Sequence, residues 1–200
     1  FVRFNQAISI LEKVKSKNLP SLSELVSRQK PFGLRTFERP TGSGTVTLYA
    51  NKSIGKIPQT LLSQGFDLLK CWKVFISRVY GEGGESREYP RMIMGKPIIG
   101  GPMTACTETY LVVGNFKSER DADFLAGYLR TRFLRFLLGL RKNTQDITKD
   151  RFKFVPQVDL SRAWSDADLY DFFGLNQSEI EFIESMVRPM QPELEGEDEH

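Results

Sequence analysis

Hydrophobic and polar positions alternate along this chain in two distinct rhythms. From Asn5 to Lys17, Ala7, Ile8, Leu11 and Val14 recur at three- and four-residue intervals among Lys13, Lys15 and Lys17. That spacing predicts an amphipathic helix, stopped by Asn18 and Pro20. Ser21 and Glu24 form a capping-box pattern ahead of Leu25 and Val26, which predicts a second short helix ending by Pro31. Beyond Pro31 the helical period disappears. Thr41-Gly42-Ser43-Gly44 reads as a turn, followed by a β-branched and aromatic run from Thr45 to Tyr49. Further strands are predicted at Ile54–Pro58, Cys71–Ser77, Pro97–Gly100 and Thr107–Val113, with a glycine-bearing loop from Gly81 to Arg87 between the middle two.

Helical spacing returns at Ser118, with Asp121 as its capping acid. Phe124, Leu125, Tyr128, Leu129, Phe133, Phe136, Leu137 and Leu140 then mark one broad apolar face, predicting a single long helix. Two short helices close the pattern. Ser165 with Asp168 forms one capping box, and Trp164 with Leu169 its hydrophobic staple; Gly174 fits the helix end. Asn176 with Glu179 repeats the device, stapled by Leu175 and Ile180 and closed by Pro189. The expected fold class is α+β: N-terminal helices, a β-rich central block with long loops (its sheet mixed or antiparallel), a long amphipathic helix and a small helical C-terminal end. The expected division is a basic unit over 1–156, a small acidic helical subdomain over 157–190, and a disordered acidic tail over 191–200.

Composition narrows the class. At 200 residues, with 40% hydrophobic and 26% charged positions, the chain has the make-up of a globular domain rather than a disordered or collagen-like one. No apolar run approaches the roughly 18 residues of a membrane span, so no membrane partner is expected. Phe1 to Ile10 carries neither a basic n-region nor a cleavage site. A chain opening on Phe1 therefore reads as a fragment of something longer, expected in the cytoplasm. Cys71 and Cys106 have no Cys-x-x-Cys spacing, and the single histidine is His200, so a Cys/His zinc site is excluded. Small buried hydrophobes are the simplest reading of both cysteines, with a disulfide between them as the alternative.

The net charge of +3 conceals an asymmetry. Beyond Pro156, twelve acids face only Arg162 and Arg188, a net of −10, which leaves +13 on the first 156 residues. A basic body of this kind points to a polyanionic partner, against the plainer reading of a solvated basic surface. Catalytic patterns are missing. There is no Gly-x-x-x-x-Gly-Lys loop, no Gly-x-Gly-x-x-Gly after a strand, no Asn-Pro-Pro-Tyr and no internal histidine for a Ser-His-Asp or Cys-His arrangement. Glu82, Glu85 and Glu88 could hold a hard cation, but their pattern fits a solvated loop better. No metal site is expected.

What remains is a series of bases and amides on predicted loops: Arg28 and Lys30 before Pro31, Arg35 beyond it, and Asn51 and Lys52 preceding Lys56. Arg78, Arg87, Arg91 and Lys96 surround the glycine loop, and Arg141, Lys142, Asn143 and Gln145 follow the long helix. Lysine and arginine suit phosphate contacts, whereas Arg on guanine and Asn or Gln on adenine read base edges. The strongest candidates for base readout are Arg78, Arg87, Arg91, Asn51 and Gln145.

Several blocks carry a resemblance. These are Thr107-Glu108-Thr109-Tyr110-Leu111-Val112-Val113-Gly114, Phe133-Leu134-Arg135-Phe136-Leu137, Arg141-Lys142-Asn143-Thr144-Gln145, Phe154-Val155-Pro156, Trp164-Ser165-Asp166, Leu169-Tyr170 and Ile183-Glu184-Ser185-Met186. In order and spacing they resemble the C-terminal region of bacterial type II restriction-modification enzymes that fuse adenine-specific DNA methylation to a specificity domain. The resemblance implies a target-recognition domain that is not catalytic alone and binds no cofactor itself. It implies partners in double-stranded DNA and in an N-terminal methyltransferase domain of the same chain. S-adenosylmethionine would belong to that parent enzyme, together with magnesium if the parent also cleaves DNA. The alternative is a scaffold that docks the methyltransferase, a nuclease or a partner subunit.

Overall fold

The computed structural model describes residues 5–79, 89–140 and 147–190. Among these described residues five α-helices and six strands are arranged as an α+β fold. In chain order they are α1 (Asn5–Ser16), β1 (Val46–Ala50), β2 (Ser53–Ile57), β3 (Trp72–Ser77), β4 (Ile98–Gly100), β5 (Thr104–Cys106), β6 (Tyr110–Phe116), α2 (Glu119–Arg130), α3 (Arg132–Leu140), α4 (Asp166–Phe172) and α5 (Gln177–Met186).

The strands form two three-stranded sheets. In one, of order β2-β1-β5, β1 pairs antiparallel with β2 and parallel with β5. In the other, of order β4-β3-β6, both pairings are antiparallel. Successive side chains on a strand point to opposite faces, so a strand buried on both sides reads as a continuous apolar run. β3 shows this directly: Val74 and Ile76 join the hydrophobic cluster of the helices, whereas Phe75 joins the cluster of the other sheet. On β6, Leu111 and Val113 face the helices and Val112 faces the opposite way. The β4-β3-β6 sheet is thus a middle layer between the helices and the β2-β1-β5 sheet. One cluster runs from Ala7 on α1 through α2 and α3 to Leu169 on α4 and Ile183 on α5, so the helices beyond residue 156 share the core of the rest.

Four departures from the sequence pattern have local causes. On α1 the inward face is Ala7, Ile10, Leu11 and Val14, and Ile8 is 46% exposed. The helix expected after Ser21 is a single 3-10 turn, Leu22–Leu25. Ser21 bridges Pro156 and Val26 bridges Val113, and this tethering at both ends leaves no length for α-helical turns. Ser21 accepts from Ser23 N instead of closing a box with Glu24. β5 was not expected, being three residues long and recognisable only through its pairing with β1. The strand expected from Thr107 starts at Tyr110, because Glu108 N bonds Leu34 O and Tyr110 N closes a turn onto Thr107 O.

The single long helix is in fact two, broken at Thr131, whose backbone is extended (φ −62, ψ 146). Its side chain donates to Tyr128 O at 2.7 Å and accepts from Leu134 N at 3.2 Å. The Asp166 carboxylate takes the other two leading amides of α3, Arg132 N at 3.1 Å and Phe133 N at 2.9 Å. A helix start needs such acceptors, and here a residue 34 positions downstream supplies them. Next to this junction Arg135 is fully buried. Its Nε donates to Arg130 O and Thr131 O, while its terminal nitrogens, like the Tyr170 hydroxyl on α4, have no hydrogen-bond partner. Burial pulls the Arg135 guanidinium down to about 10, against the opposing charge of Asp166.

The two closing capping boxes form as expected, Ser165 with Asp168 and Asn176 with Glu179. Glu179 also accepts from Ser9 Oγ and Lys13 Nζ, both at 2.6 Å, which ties α5 to α1. Both cysteines are free thiols, Cys106 buried and Cys71 half-buried. Among the described residues no helix is long and apolar enough to cross a membrane.

Candidate nucleic-acid interface

A polar groove of about 450 Å³ opens where the ends of the two sheets meet, lined by Thr36, Asn51, Ser77, Arg78, Val79, Glu108 and Thr109. Each side of it is fixed by backbone pairing. Asn51 sits in the two-residue turn between β1 and β2, with Lys52 beside it in the left-handed region (φ 60). Arg78 follows β3 directly, its N bonding Thr109 O at 2.8 Å. The segment after Val26 runs antiparallel along the free edge of β6. There Ser27 N donates to Val112 O and Ser27 Oγ accepts from Val112 N. That edge carries Lys30 to within 3.4 Å of Glu108.

Glu108 is the hub. Its carboxylate accepts from Thr36 N at 3.1 Å and Thr36 Oγ1 at 3.2 Å, pairs with Lys30, and its own carbonyl accepts from Arg78 Nη1 at 3.1 Å. Partial burial works to raise its pKa, but the hydrogen bonds from Thr36 and the Lys30 charge outweigh it and hold the carboxyl below its ordinary value. It therefore stays ionised at neutral pH and keeps three chain segments together. The groove it organises presents hydroxyls, the Asn51 amide and the half-buried Arg78 guanidinium, donors suited to phosphate oxygens and base edges.

The candidates from sequence divide clearly. Lys30, Asn51 and Arg78 are at the groove, and the exposed Arg35 and Lys52 adjoin its lining residues Thr36 and Asn51. Lys96 is exposed and follows Gly95, which packs beside Ser77 of the groove. Arg28 is exposed beside the β6 edge. Lys56 lies further along the hairpin, where its Nζ donates to Thr47 Oγ1 at 2.9 Å. Arg91 is elsewhere. Its backbone bonds Met186 O and accepts from Arg188 N, and its guanidinium stacks over Tyr89 at 4.4 Å, at the end of α5. Arg87, Arg141, Lys142, Asn143 and Gln145 lie outside the described residues, as do Glu82, Glu85, Glu88 and the tail over 191–200.

Sequence reasoning missed Thr36, Ser77, Glu108 and Thr109 as groove residues. Polar residues bracketing a strand start were the available signal, but only the pairing of β3 with β6 brings Ser77 opposite Tyr110 and the rest to one place. A second ionisable pair lies deeper. Lys73 is fully buried, donating to Cys71 O at 3.0 Å and Gly101 O at 2.9 Å, and burial pulls its ammonium down to about 8. Burial likewise pushes the Cys106 thiol far up, leaving it protonated and inert.

No protein-family model, curated protein or solved structure matches this chain.

Proposed function

We propose that this chain is a DNA-recognition module, the target-recognition region of a restriction-modification enzyme in which adenine methylation is carried out by domains outside these 200 residues. The supporting observation is that Asn51 and Arg78 line one groove, Lys30 pairs with Glu108 in it, and Arg35 and Lys52 adjoin its lining residues, although they come from three separated stretches of sequence. Charge agrees with it: +13 over the first 156 residues favours a phosphate backbone. In this role Lys30, Arg35 and Lys52 bind phosphates, and Asn51 and Arg78 meet base edges. The parent enzyme would hold S-adenosylmethionine and flip the target base; the module's part is to choose where.

Titration of the chain with fluorescein-labelled 20-base-pair duplexes at two or more salt concentrations tests this. Three released counterions correspond to a slope of roughly −3 in log K against log salt. Arg35→Ala and Lys52→Ala should each make that slope shallower by about one. Absence of binding, or binding indifferent to salt, refutes the proposal.

A further inference from the structure

Next to the groove, the turn Arg35-Thr36-Phe37-Glu38 presents a phenylalanine to solvent: Phe37 is 69% exposed, more than any other large hydrophobic side chain among the described residues. An exposed aromatic by itself carries no message. What gives this one direction is its mounting. Glu38 N closes the turn onto Arg35 O at 3.1 Å. On one side Thr36 is held by Glu108 through its amide and its hydroxyl, and Glu108 N is bonded to Leu34 O. On the other side Arg39 Nη1 reaches back to Thr36 O at 2.7 Å and Glu38 O at 2.9 Å. Pro40 beyond it packs against Gly55 of β2. The backbone on both sides of Phe37 is therefore tied down, while its ring is left uncovered between the exposed cations Arg35 and Arg39.

A rigid turn that holds a bare aromatic ring between two guanidinium groups suits a polyanion with apolar faces stacked inside it. Aromatic and aliphatic wedges of this kind enter between base steps of duplex DNA, unstacking them while adjacent cations hold the phosphates. We infer that Phe37 is a base-step wedge: it inserts into the duplex bound at the groove, and Arg35 and Arg39 clamp the phosphates on either side. The inference rests on the DNA-binding role proposed above and adds to it the Phe37 wedge, a fourth phosphate contact at Arg39 that steepens the salt slope by about one, and a deformation of the ligand.

Duplexes carrying 2-aminopurine at successive positions provide the test, because its fluorescence rises when a neighbouring base is unstacked. The wild-type chain should raise the signal at one step of a bound duplex. Phe37→Ala should abolish that rise and weaken binding about tenfold while leaving the salt slope unchanged, since no phosphate contact is lost. Phe37→Leu, which keeps an apolar wedge, should retain part of both effects. Because Phe37 is exposed, neither substitution removes core packing, and an unchanged melting temperature checks that both variants fold. Wild-type and Phe37→Ala chains that bind equally tightly with the same 2-aminopurine signal would sink the wedge and leave the DNA-binding role standing. A wild-type chain that binds no duplex overturns both.

Discussion

Asp166→Asn is the substitution most revealing of how the helical layer is assembled. The carboxylate accepts two of the leading amides of α3, at 3.1 and 2.9 Å, and it is the main opposing charge acting on the fully buried Arg135. Asparagine keeps one acceptor oxygen but turns an NH2 group toward the second amide, so one of these two bonds is lost, at about 1 kcal/mol. Removing the counter-charge of a buried cation costs roughly 3–5 kcal/mol where the pair is intimate. Here the two are not directly hydrogen-bonded, because the terminal nitrogens of Arg135 have no partner, so a value below that range, about 2 kcal/mol, applies. Together the expected loss is about 3 kcal/mol, or roughly 6–12 °C in melting temperature for a chain of this size. Urea unfolding followed by circular dichroism measures it. Arg135→Met in the Asp166→Asn background then separates the terms: with the cation gone only one amide hydrogen bond is missing, so the double variant should be at least about 1 kcal/mol more stable than additivity predicts. A loss below about 0.5 kcal/mol for Asp166→Asn, or strict additivity with Arg135→Met, would refute the assignment of Asp166 as both cap and counter-charge.

Two tyrosines of similar burial should behave oppositely. Tyr128 Oη donates to Pro156 O at 2.8 Å, so Tyr128→Phe strands a buried carbonyl and should cost about 1–2 kcal/mol; Tyr170 Oη has no partner, so Tyr170→Phe should be neutral within about 0.5 kcal/mol or stabilising, by the same urea assay. Lys73 has a folded pKa near 8 against an ordinary 10.5, so below pH 8 folding must bury a charge that the unfolded chain keeps in water. Its unfavourable contribution is relieved as pH rises from 8 to 10.5; the wild type should gain up to about 3 kcal/mol over that window relative to Lys73→Met, measured as the difference of their unfolding free energies. Burial works to raise the Glu179 pKa, but hydrogen bonds from Lys13, Ser9 and Asn176 with the Lys13 charge bring it below its ordinary value. That stabilisation is complete above the ordinary glutamate range and lost as pH falls through the depressed value, so the stability gap between wild type and Glu179→Gln should hold at neutral pH and close in acid.

The sequence by itself determined those features whose signals are local. The α+β class, the closing capping boxes at Ser165 and Asn176, and the strands around Leu48, Ile57 and Phe75 were legible because each depends on side-chain period or on partners three residues away. Of the candidate site, the residue types on the β1–β2 turn and after β3 could be named, but not their convergence. Tertiary structure alone decided that the long apolar stripe is two helices, because the acceptors that start α3 come from Asp166 on another element. It alone separated Arg91 from Arg78 and placed Glu108 between Lys30, Thr36 and Arg78. The reason is the same in each case: periodicity reports which face of an element is buried, whereas a site is made by which elements meet, and contacts between residues far apart in the chain leave no period to read.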